Sequence, residues 1–141
     1  MLFRSLDAGL IVVLDRYVDS SLAYQGCARG LGVDAVLQVN ERATGGLLPD
    51  LTLLLRVDPD RAARRPGGPP DRLESEGAAL QTAVAAGYDE LARRFPGRIV
   101  AIDGDRPAEQ VAADIERTAL AALAARPERA PLAGSEAGAL R

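Results

Sequence analysis

Three short runs of apolar residues recur along the chain. They occupy residues 10–14 (LIVVL), 51–57 (LTLLLRV) and 99–102 (IVAI), and each is followed directly by an aspartate. Continuous apolar runs of this length are typical of strands buried on both faces of a parallel sheet. We therefore expect three parallel strands, each with a carboxylate at its C-terminal end.

Four helical patterns lie between and after these runs. They cover about residues 19–29, 34–44, 73–94 and 107–123. Asp19 or Ser20 is expected to cap the first helix and Asp34 the second, because short polar side chains accept hydrogen bonds from the free N–H groups of a first turn. Pro107 is expected in the first turn of the last helix. The second helix is expected to carry Val36, Leu37 and Asn40 on one face, and the third has apolar residues at helical spacing, namely Leu80, Val84, Tyr88 and Leu91. The buried stripe of the last helix is expected to consist of Val111, Ile115, Ala119 and Leu123. Strands that alternate with helices predict an α/β layer fold with a parallel sheet.

Three segments fall outside this alternation. Residues 5–9 have the pattern of a helix end that leads through a glycine turn into the first strand. Because a parallel α/β domain should not start halfway through a connection, we expect the natural chain to start further upstream. Residues 61–72 (RAARRPGGPPDR) predict an irregular surface loop. Residues 126–141 lack an apolar period and predict a disordered tail.

The basic residues are all arginine, seventeen in number, and the chain contains neither lysine nor histidine. These 141 residues therefore exclude a complete P-loop (GxxxxGK[ST]), a Schiff-base lysine, a Ser-His-Asp triad and a histidine metal site. The net charge of −3 gives no reason to expect nucleic acid or a membrane surface as a partner, and no apolar run is long enough for a membrane span. The single cysteine, Cys27, is expected to be an inert packing residue, and one cysteine indicates a reducing cytoplasm.

The motif DRYVDSSLAYQG, at residues 15–26, directly follows the first expected strand. Open α/β sheets bind ligands at that end of their strands. The motif resembles the signature of thymidylate kinases, which phosphorylate dTMP with ATP. Four further segments resemble the same family in the same order: residues 43–62 (ATGGLLPDLTLLLRVDPDRA), 70–74 (PDRLE), 87–92 (GYDELA) and 102–115 (IDGDRPAEQVAADI). The resemblance implies the three-layer α/β fold of P-loop nucleoside monophosphate kinases, with a partial domain at residues 1–125.

The resemblance assigns roles to the motif residues. The planar guanidinium of Arg16 suits bidentate binding of a phosphate, which in this family is that of dTMP. Ser20, Ser21, Tyr24 and Gln25 lie at helical spacings that place them on adjoining faces, and the family match makes them nucleoside contacts. In that match Ser21 and Gln25 read the thymine edge and Tyr24 packs on the deoxyribose.

Two motif residues have a second interpretation that needs no ligand. Asp15 is expected to act on the magnesium–phosphate region through water or to orient Arg16, and the alternative is a simple helix cap. Tyr17 is expected to serve as a core or hinge packing residue.

Two further groups belong to the ATP side of the family's site. The loop matches the family's lid, at about residues 59–73, where arginines supply positive charge around the moving phosphoryl group. Arg64 and Arg65 are the catalytic candidates in this lid, with Arg61 and Arg72 beside them. The turn after the last strand offers Gly104, Asp105 and Arg106 to the ATP base. The alternatives are a merely solvated charged loop and an ordinary helix-start turn, and Glu74 is expected to cap a helix.

The family's sheet order, 2-3-1-4-5, implies that the first two strands and the P-loop are missing from this chain. The third strand would then either shift to pair with the fourth or dock loosely. We expect dTMP and ATP with Mg²⁺ as ligands, a homodimer, and no turnover by this chain alone. Two alternatives remain open: a deoxynucleoside kinase relative, and a catalytically dead nucleotide-binding or interaction module.

Overall fold

The computed structural model of the chain describes residues 2–58, Arg61 and residues 77–125. Apart from Arg61, the expected lid at 59–73 lies outside the described residues, and so does the expected tail at 126–141. Along the described part, several helices precede the first strand, and from that strand onward strands and helices alternate. This alternation, together with the parallel pairing of the strands, confirms the predicted α/β class.

The described sheet has two parallel strands, β1 (Thr52–Arg56) and β2 (Ile99–Asp103). Thr52 lies opposite Ile99 and Arg56 lies opposite Asp103. Both strands were predicted from their apolar runs; β1 ends two residues before Asp58, and β2 ends at Asp103 itself. Because the strands are parallel and in register, their C-terminal ends meet at one edge of the sheet.

Residues 10–14, expected to form a buried strand, pair with neither β1 nor β2. Most of their side chains are largely exposed, and Val13 is 89% exposed. The prediction of a buried strand is therefore wrong for the described structure, and this segment does not shift to pair with β1. An apolar run is buried in a parallel sheet only when strands flank it and helices cover both faces, and the described residues leave this one uncovered.

The helices follow the predicted order with shifted boundaries. They are α1 (Leu2–Asp7), α2 (Val18–Ser21), α3 (Val33–Thr44), α4 (Ala78–Arg94) and α5 (Ala108–Ala124). Helix α2 continues as a π-helix, Leu22–Ala28, in which the ordinary α-helical hydrogen bonds give way to longer ones. Gly45 ends α3 in the left-handed conformation, with φ of 61°, as its position after the last turn predicts. Gly77, with φ of 98°, precedes α4, so that helix begins later than its expected start at residue 73.

The expected N-caps are wrong. The residue before α2 is Tyr17 and the residue before α3 is Gly32, and neither makes a side-chain cap hydrogen bond. Asp19 lies inside α2 and its carboxylate binds Arg98, and Asp34 lies in the first turn of α3, where it forms an ion pair with Arg94. Pro107 is the residue before α5, one position earlier than expected.

The core lies where α2 and its π-helix pack against α3, α4 and the start of β2. Its buried members are Val18, Leu22, Ala23, Tyr24, Val33, Val84, Leu91 and Ile99. The predicted positions Val36, Leu37, Leu80 and Tyr88 pack against this cluster. The core therefore includes Val18, Leu22, Ala23 and Tyr24 of the DRYVDSSLAYQG motif and holds the helix of this motif in place.

Helix α5 packs less deeply than predicted. It has no fully buried residue, and Leu123, the last position of the expected buried stripe, is 40% exposed. The helix packs chiefly on β2, and a sheet this narrow covers only part of a helix face. None of the helices in the described part of the chain is long and apolar enough to cross a membrane.

Candidate functional site

Arg16 stands in an unusual backbone conformation at the start of the motif. Its φ is 62°, and no other non-glycine residue in the described ranges has a positive φ. Such a conformation is strained for a residue with a side chain, and it often marks a functional position. The exposed guanidinium lies over the ring of Tyr24, 5.7 Å from its centroid, a distance at which a cation is attracted to an aromatic face. The structure thus brings together two residues that the sequence assigned to one site.

The helix after Arg16 carries the remaining nucleoside candidates. Tyr24 is buried, whereas Ser21 and Gln25 are half-buried. The side-chain oxygen of Gln25 is buried and has no hydrogen-bond partner among the described residues. A buried acceptor without a partner costs free energy, and a ligand that supplies a donor would remove that cost.

The π-helix changes the faces on which these residues lie. The sequence spacing assumed α-helical geometry throughout, whereas Tyr24 and Gln25 fall within the π-helix and Ser20 and Ser21 precede it. The carbonyl of Tyr24 accepts from Arg29 five residues later, at 3.1 Å. Single π-turns occur often at functional sites. The residue pattern gives no signal for this turn, so sequence reasoning missed it.

Asp19 is a polar residue of the motif that sequence reasoning treated only as a cap. Its carboxylate is buried and accepts hydrogen bonds from both terminal nitrogens of Arg98, each at 2.7 Å. The hydroxyl of Thr52 donates to the same carboxylate, also at 2.7 Å. These contacts tie α2 to the N-terminal ends of β1 and β2.

Two tyrosines fix the helix from other sides. The hydroxyl of Tyr88, on α4, donates to Ser20 Oγ at 3.0 Å, so the Ser20 side chain is engaged within the protein. Burial raises the pKa of the Tyr88 hydroxyl. The half-buried Tyr17 packs against the core and donates to the carbonyl of Leu47 at 3.3 Å, in keeping with its expected packing role.

Asp15 is exposed beside Arg16. Within the described residues no group of three or more Asp, Glu or Cys side chains could hold a metal ion, so Asp15 stands outside any preformed cluster there. Mg²⁺ often binds through only one or two carboxylates and completes its shell with substrate phosphates and water. A single exposed carboxylate beside an exposed arginine is compatible with that mode.

The lid candidates are only partly described. Arg64, Arg65 and Arg72 lie outside the described residues. Arg61 donates from Nη1 to the carbonyl of Asp105 at 2.8 Å, and its Nε lies 3.7 Å from the Asp105 carboxylate. The structure therefore places one lid candidate against the turn that holds the ATP-side candidates.

That turn is closely fitted to the end of β1. The N–H of Gly104 donates to the carbonyl of Arg56 at 2.7 Å, and a side chain at Gly104 would meet Val57 at 2.9 Å. Asp105 accepts from the N–H of Asp58 at 2.8 Å. Close packing is therefore sufficient to explain glycine at position 104, without any contact to a ligand.

Arg106 pairs with the helix that follows it. Its guanidinium binds the carboxylate of Asp114 on α5 and lies 3.6 Å from that of Asp103. The hydrogen bond to Asp114 raises the pKa of Arg106, and hydrogen bonds from Arg106 and Arg117 lower that of Asp114. Stacking of Arg106 on a base would require these contacts to open.

A cleft of about 660 Å³ lies between the C-terminal halves of the two strands and α4. Its polar lining is mainly acidic and includes Asp58, Asp89, Asp103 and Asp105. Tyr88 lines this cleft and also contacts Ser20, so it connects the cleft with the helix of the motif. Arg56 also lines the cleft but pairs with Asp89 at 2.9 Å, so the described lining does not favour an anionic ligand.

Comparison with known proteins identifies the family. The family model "Thymidylate kinase" matches residues 2–115. The chain is similar to the thymidylate kinase of Halalkalibacterium halodurans, with 44% identity over 117 residues, which cover 80% of this chain and 56% of that protein. It is also similar to the thymidylate kinase of a Thermoanaerobacter strain (46% identity; 79% of this chain and 55% of that protein). A further relative is that of Deinococcus radiodurans (44% identity; 79% and 55%).

The chain spans about half the length of the curated relatives it matches. The matched region contains the Arg16–Tyr24 pair, the helix that carries it and both strands. The fold implied by the family, a parallel α/β fold of the P-loop nucleoside monophosphate kinases, agrees with the paired strands described above. On sequence and structure together, the chain belongs to the thymidylate kinase family.

Proposed function

We propose that the chain forms the acceptor side of a thymidylate kinase, which transfers the γ-phosphoryl group of ATP to dTMP in the cytoplasm. The observation that carries the proposal is the placement of Arg16 over Tyr24, next to a helix that presents Ser21 and Gln25. A planar cation, an aromatic ring and an amide are the groups that bind a phosphate, a sugar and a base edge. In this proposal Arg16 binds the dTMP phosphate and the partnerless oxygen of Gln25 accepts from thymine N3–H.

These 141 residues contain only part of the groups that would bind ATP, the phosphate donor. The chain has no lysine, so the lysine of a P-loop is not among its 141 residues. Backbone amides and that lysine align the ATP phosphates, and alignment supplies much of the catalysis in phosphoryl transfer. The lid arginines Arg61, Arg64, Arg65 and Arg72 and the turn at Gly104, Asp105 and Arg106 are proposed to meet ATP. Asp15 would supply one carboxylate or water contact to Mg²⁺, which neutralises phosphate charge when bound.

Binding experiments on the purified chain test the acceptor site. We expect calorimetry to show that dTMP binds more tightly than thymidine. Arg16→Ala should weaken dTMP binding roughly 10- to 100-fold, because hydrogen bonds to charged groups contribute about 1.5–3 kcal/mol, and should leave thymidine binding unchanged. Gln25→Ala should weaken the binding of both dTMP and thymidine. Arg42→Ala, which removes the same charge from an exposed position on α3, is the matched control.

The outcomes separate the alternatives. Thymidine binding that equals or exceeds dTMP binding would favour a deoxynucleoside kinase relative. Absence of binding by either ligand would contradict the proposal and favour an interaction module. In a coupled ADP-release assay we expect no turnover by this chain alone, and turnover near that of a complete enzyme would overturn that expectation. The homodimer expected from the family can be checked by light scattering.

A further inference from the structure

Asp19 and Arg98 form a buried ion pair behind the acceptor site. The Asp19 side chain is 6% exposed and that of Arg98 is 15% exposed. The two guanidinium nitrogens meet the two carboxylate oxygens in parallel, and Thr52 adds a third hydrogen bond. The guanidinium also lies 4.8 Å from the centroid of the Phe95 ring. The pair is therefore held in one geometry from several directions.

An ion pair of this kind is a poor source of stability by itself. The cost of removing two charges from water offsets much of their attraction, and apolar pairs of similar size are often equally stable. What such a pair offers is a fixed orientation, because two bidentate planar groups tolerate little rotation.

The segment directly after Arg16 is anchored at three points. Tyr17 binds the carbonyl of Leu47, Asp19 binds the starts of both strands, and Ser20 accepts from Tyr88 on α4. The segment before it, residues 10–14, is exposed and pairs with neither strand. In the described structure the constraint on Arg16 therefore comes from the downstream side.

A strained residue keeps its conformation only where its surroundings over-determine it. Arg16 has a left-handed φ of 62°, and the strongest of the three anchors is the charged, bidentate one at Asp19. We propose that Asp19, clamped by Arg98, is a positioning residue that holds Arg16 in its left-handed conformation and so aims the guanidinium at the acceptor phosphate. The part of this inference that concerns phosphate rests on the proposed function.

The first test does not depend on any ligand. In the otherwise unchanged chain, Arg16→Gly should unfold at a higher urea concentration than Arg16→Ala, because glycine adopts positive φ without strain. The same two substitutions are then made in Asp19→Leu/Arg98→Met, which replaces both charges and so avoids an unpaired buried charge. There the advantage of glycine should disappear, since residue 16 can relax to negative φ. If Arg16→Gly is more stable than Arg16→Ala by the same amount in both backgrounds, Asp19 does not hold Arg16 in its left-handed conformation.

The second test measures the ratio of the thymidine and dTMP dissociation constants. Loss of the clamp should lower this ratio roughly 5- to 30-fold, the factor that corresponds to the cost of a left-handed non-glycine residue. Thymidine affinity should stay constant, which a general loss of structure would not allow. Thr52→Val, which removes only one of the three hydrogen bonds, should lower the ratio in the same direction by less. An unchanged ratio in the folded double variant would contradict the positioning role.

The two tests fail independently. In one outcome, the unmodified chain fails to bind dTMP while the stability difference between Arg16→Gly and Arg16→Ala still depends on the Asp19–Arg98 pair. That result contradicts the proposed function and supports the positioning role of Asp19. If dTMP binds and the glycine advantage is independent of the clamp, the function stands and Asp19 is merely structural. Circular dichroism and the cooperativity of urea unfolding establish which variants are folded.

Discussion

Tyr88 joins the helix of the motif at residues 15–26 to the cleft at the sheet edge. Its hydroxyl donates to Ser20, and its ring lies on α4 against the core. A neutral hydrogen bond of this kind contributes about 0.5–1.5 kcal/mol to stability. Burial also raises the pKa of the hydroxyl, and a hydrogen bond that Ser20 can donate to the phenolate opposes that shift only in part. The residue therefore links stability to pH at the alkaline end.

We predict that Tyr88→Phe flattens the alkaline part of the stability profile. The raised pKa means that the folded chain favours the protonated phenol. The stabilisation that comes from the protonated phenol is present in full below about pH 10, the pKa of tyrosine in the unfolded chain. It is lost as pH rises through the pKa of the folded state. The free energy of unfolding, measured with urea at stepped pH, should fall more steeply above pH 10 in the unmodified chain than in Tyr88→Phe.

Ser20→Ala is the matched control for this prediction. It removes the same hydrogen bond and keeps the phenol, so it should lose stability at neutral pH and retain the alkaline slope. Parallel profiles for the unmodified chain and Tyr88→Phe above pH 10 would contradict the assignment.

Helix α4 and the π-helix of the motif cross closely at one glycine. A side-chain carbon built at Gly87 would lie 2.8 Å from the Cβ of Cys27 and 3.2 Å from the carbonyl oxygen of Ala23. The Cys27 thiol reaches the carbonyl of Gly87 at 3.9 Å, and burial raises the pKa of that thiol, which agrees with the expected packing role. The close approach of the two helices brings Tyr88, the next residue, to Ser20.

We predict that Gly87→Ala destabilises the chain by about 1–3 kcal/mol, the usual cost of overpacking. Alanine is favoured over glycine within a helix by about 1 kcal/mol, so a stabilising result would show that the helices separate easily. Urea unfolding measures the change. Cys27→Gly in the same background removes one of the two clashing groups and should recover part of the loss, and absence of any recovery would place the clash elsewhere.

At the scale of the whole molecule, burial is distributed unevenly. The helices around the motif contain side chains such as Leu22 and Leu91 that are fully buried. Residues 10–14, although among the most apolar of the chain, lie largely in solvent, and only β1 and β2 pair in the described part. The stability of the described structure therefore resides in the helical core and not in the first apolar run.

This distribution predicts a contrast between two apolar positions. Leu91→Ala should cost about 2–5 kcal/mol, since it leaves a cavity in the core. Val13→Ser should change stability by less than about 0.5 kcal/mol, as substitutions at exposed positions usually do. Urea unfolding of both variants under the same conditions checks this, and a large loss for Val13→Ser would mean that residues 10–14 are covered in solution.

The sequence by itself determined the features that depend on local pattern. The apolar runs located β1 and β2, the helical spacing located α3, α4 and α5, and the glycine after α3 located its end. The motif of residues 15–26 was sufficient for the family and for the candidates Arg16 and Tyr24, which the structure places together. These predictions succeeded because backbone periodicity and turn chemistry are set by neighbouring residues.

Only the tertiary structure decided which residues meet across the chain. Asp19 and Arg98 are 79 positions apart, and Ser20 and Tyr88 are 68 apart, so no local pattern relates them. The same holds for residues 10–14, whose exposure depends on what lies beside them and not on their own hydrophobicity. We propose the same origin for the positive φ of Arg16, through the pairing of Asp19 with Arg98. Local pattern sets the elements, and the packing of distant elements sets the geometry of the site.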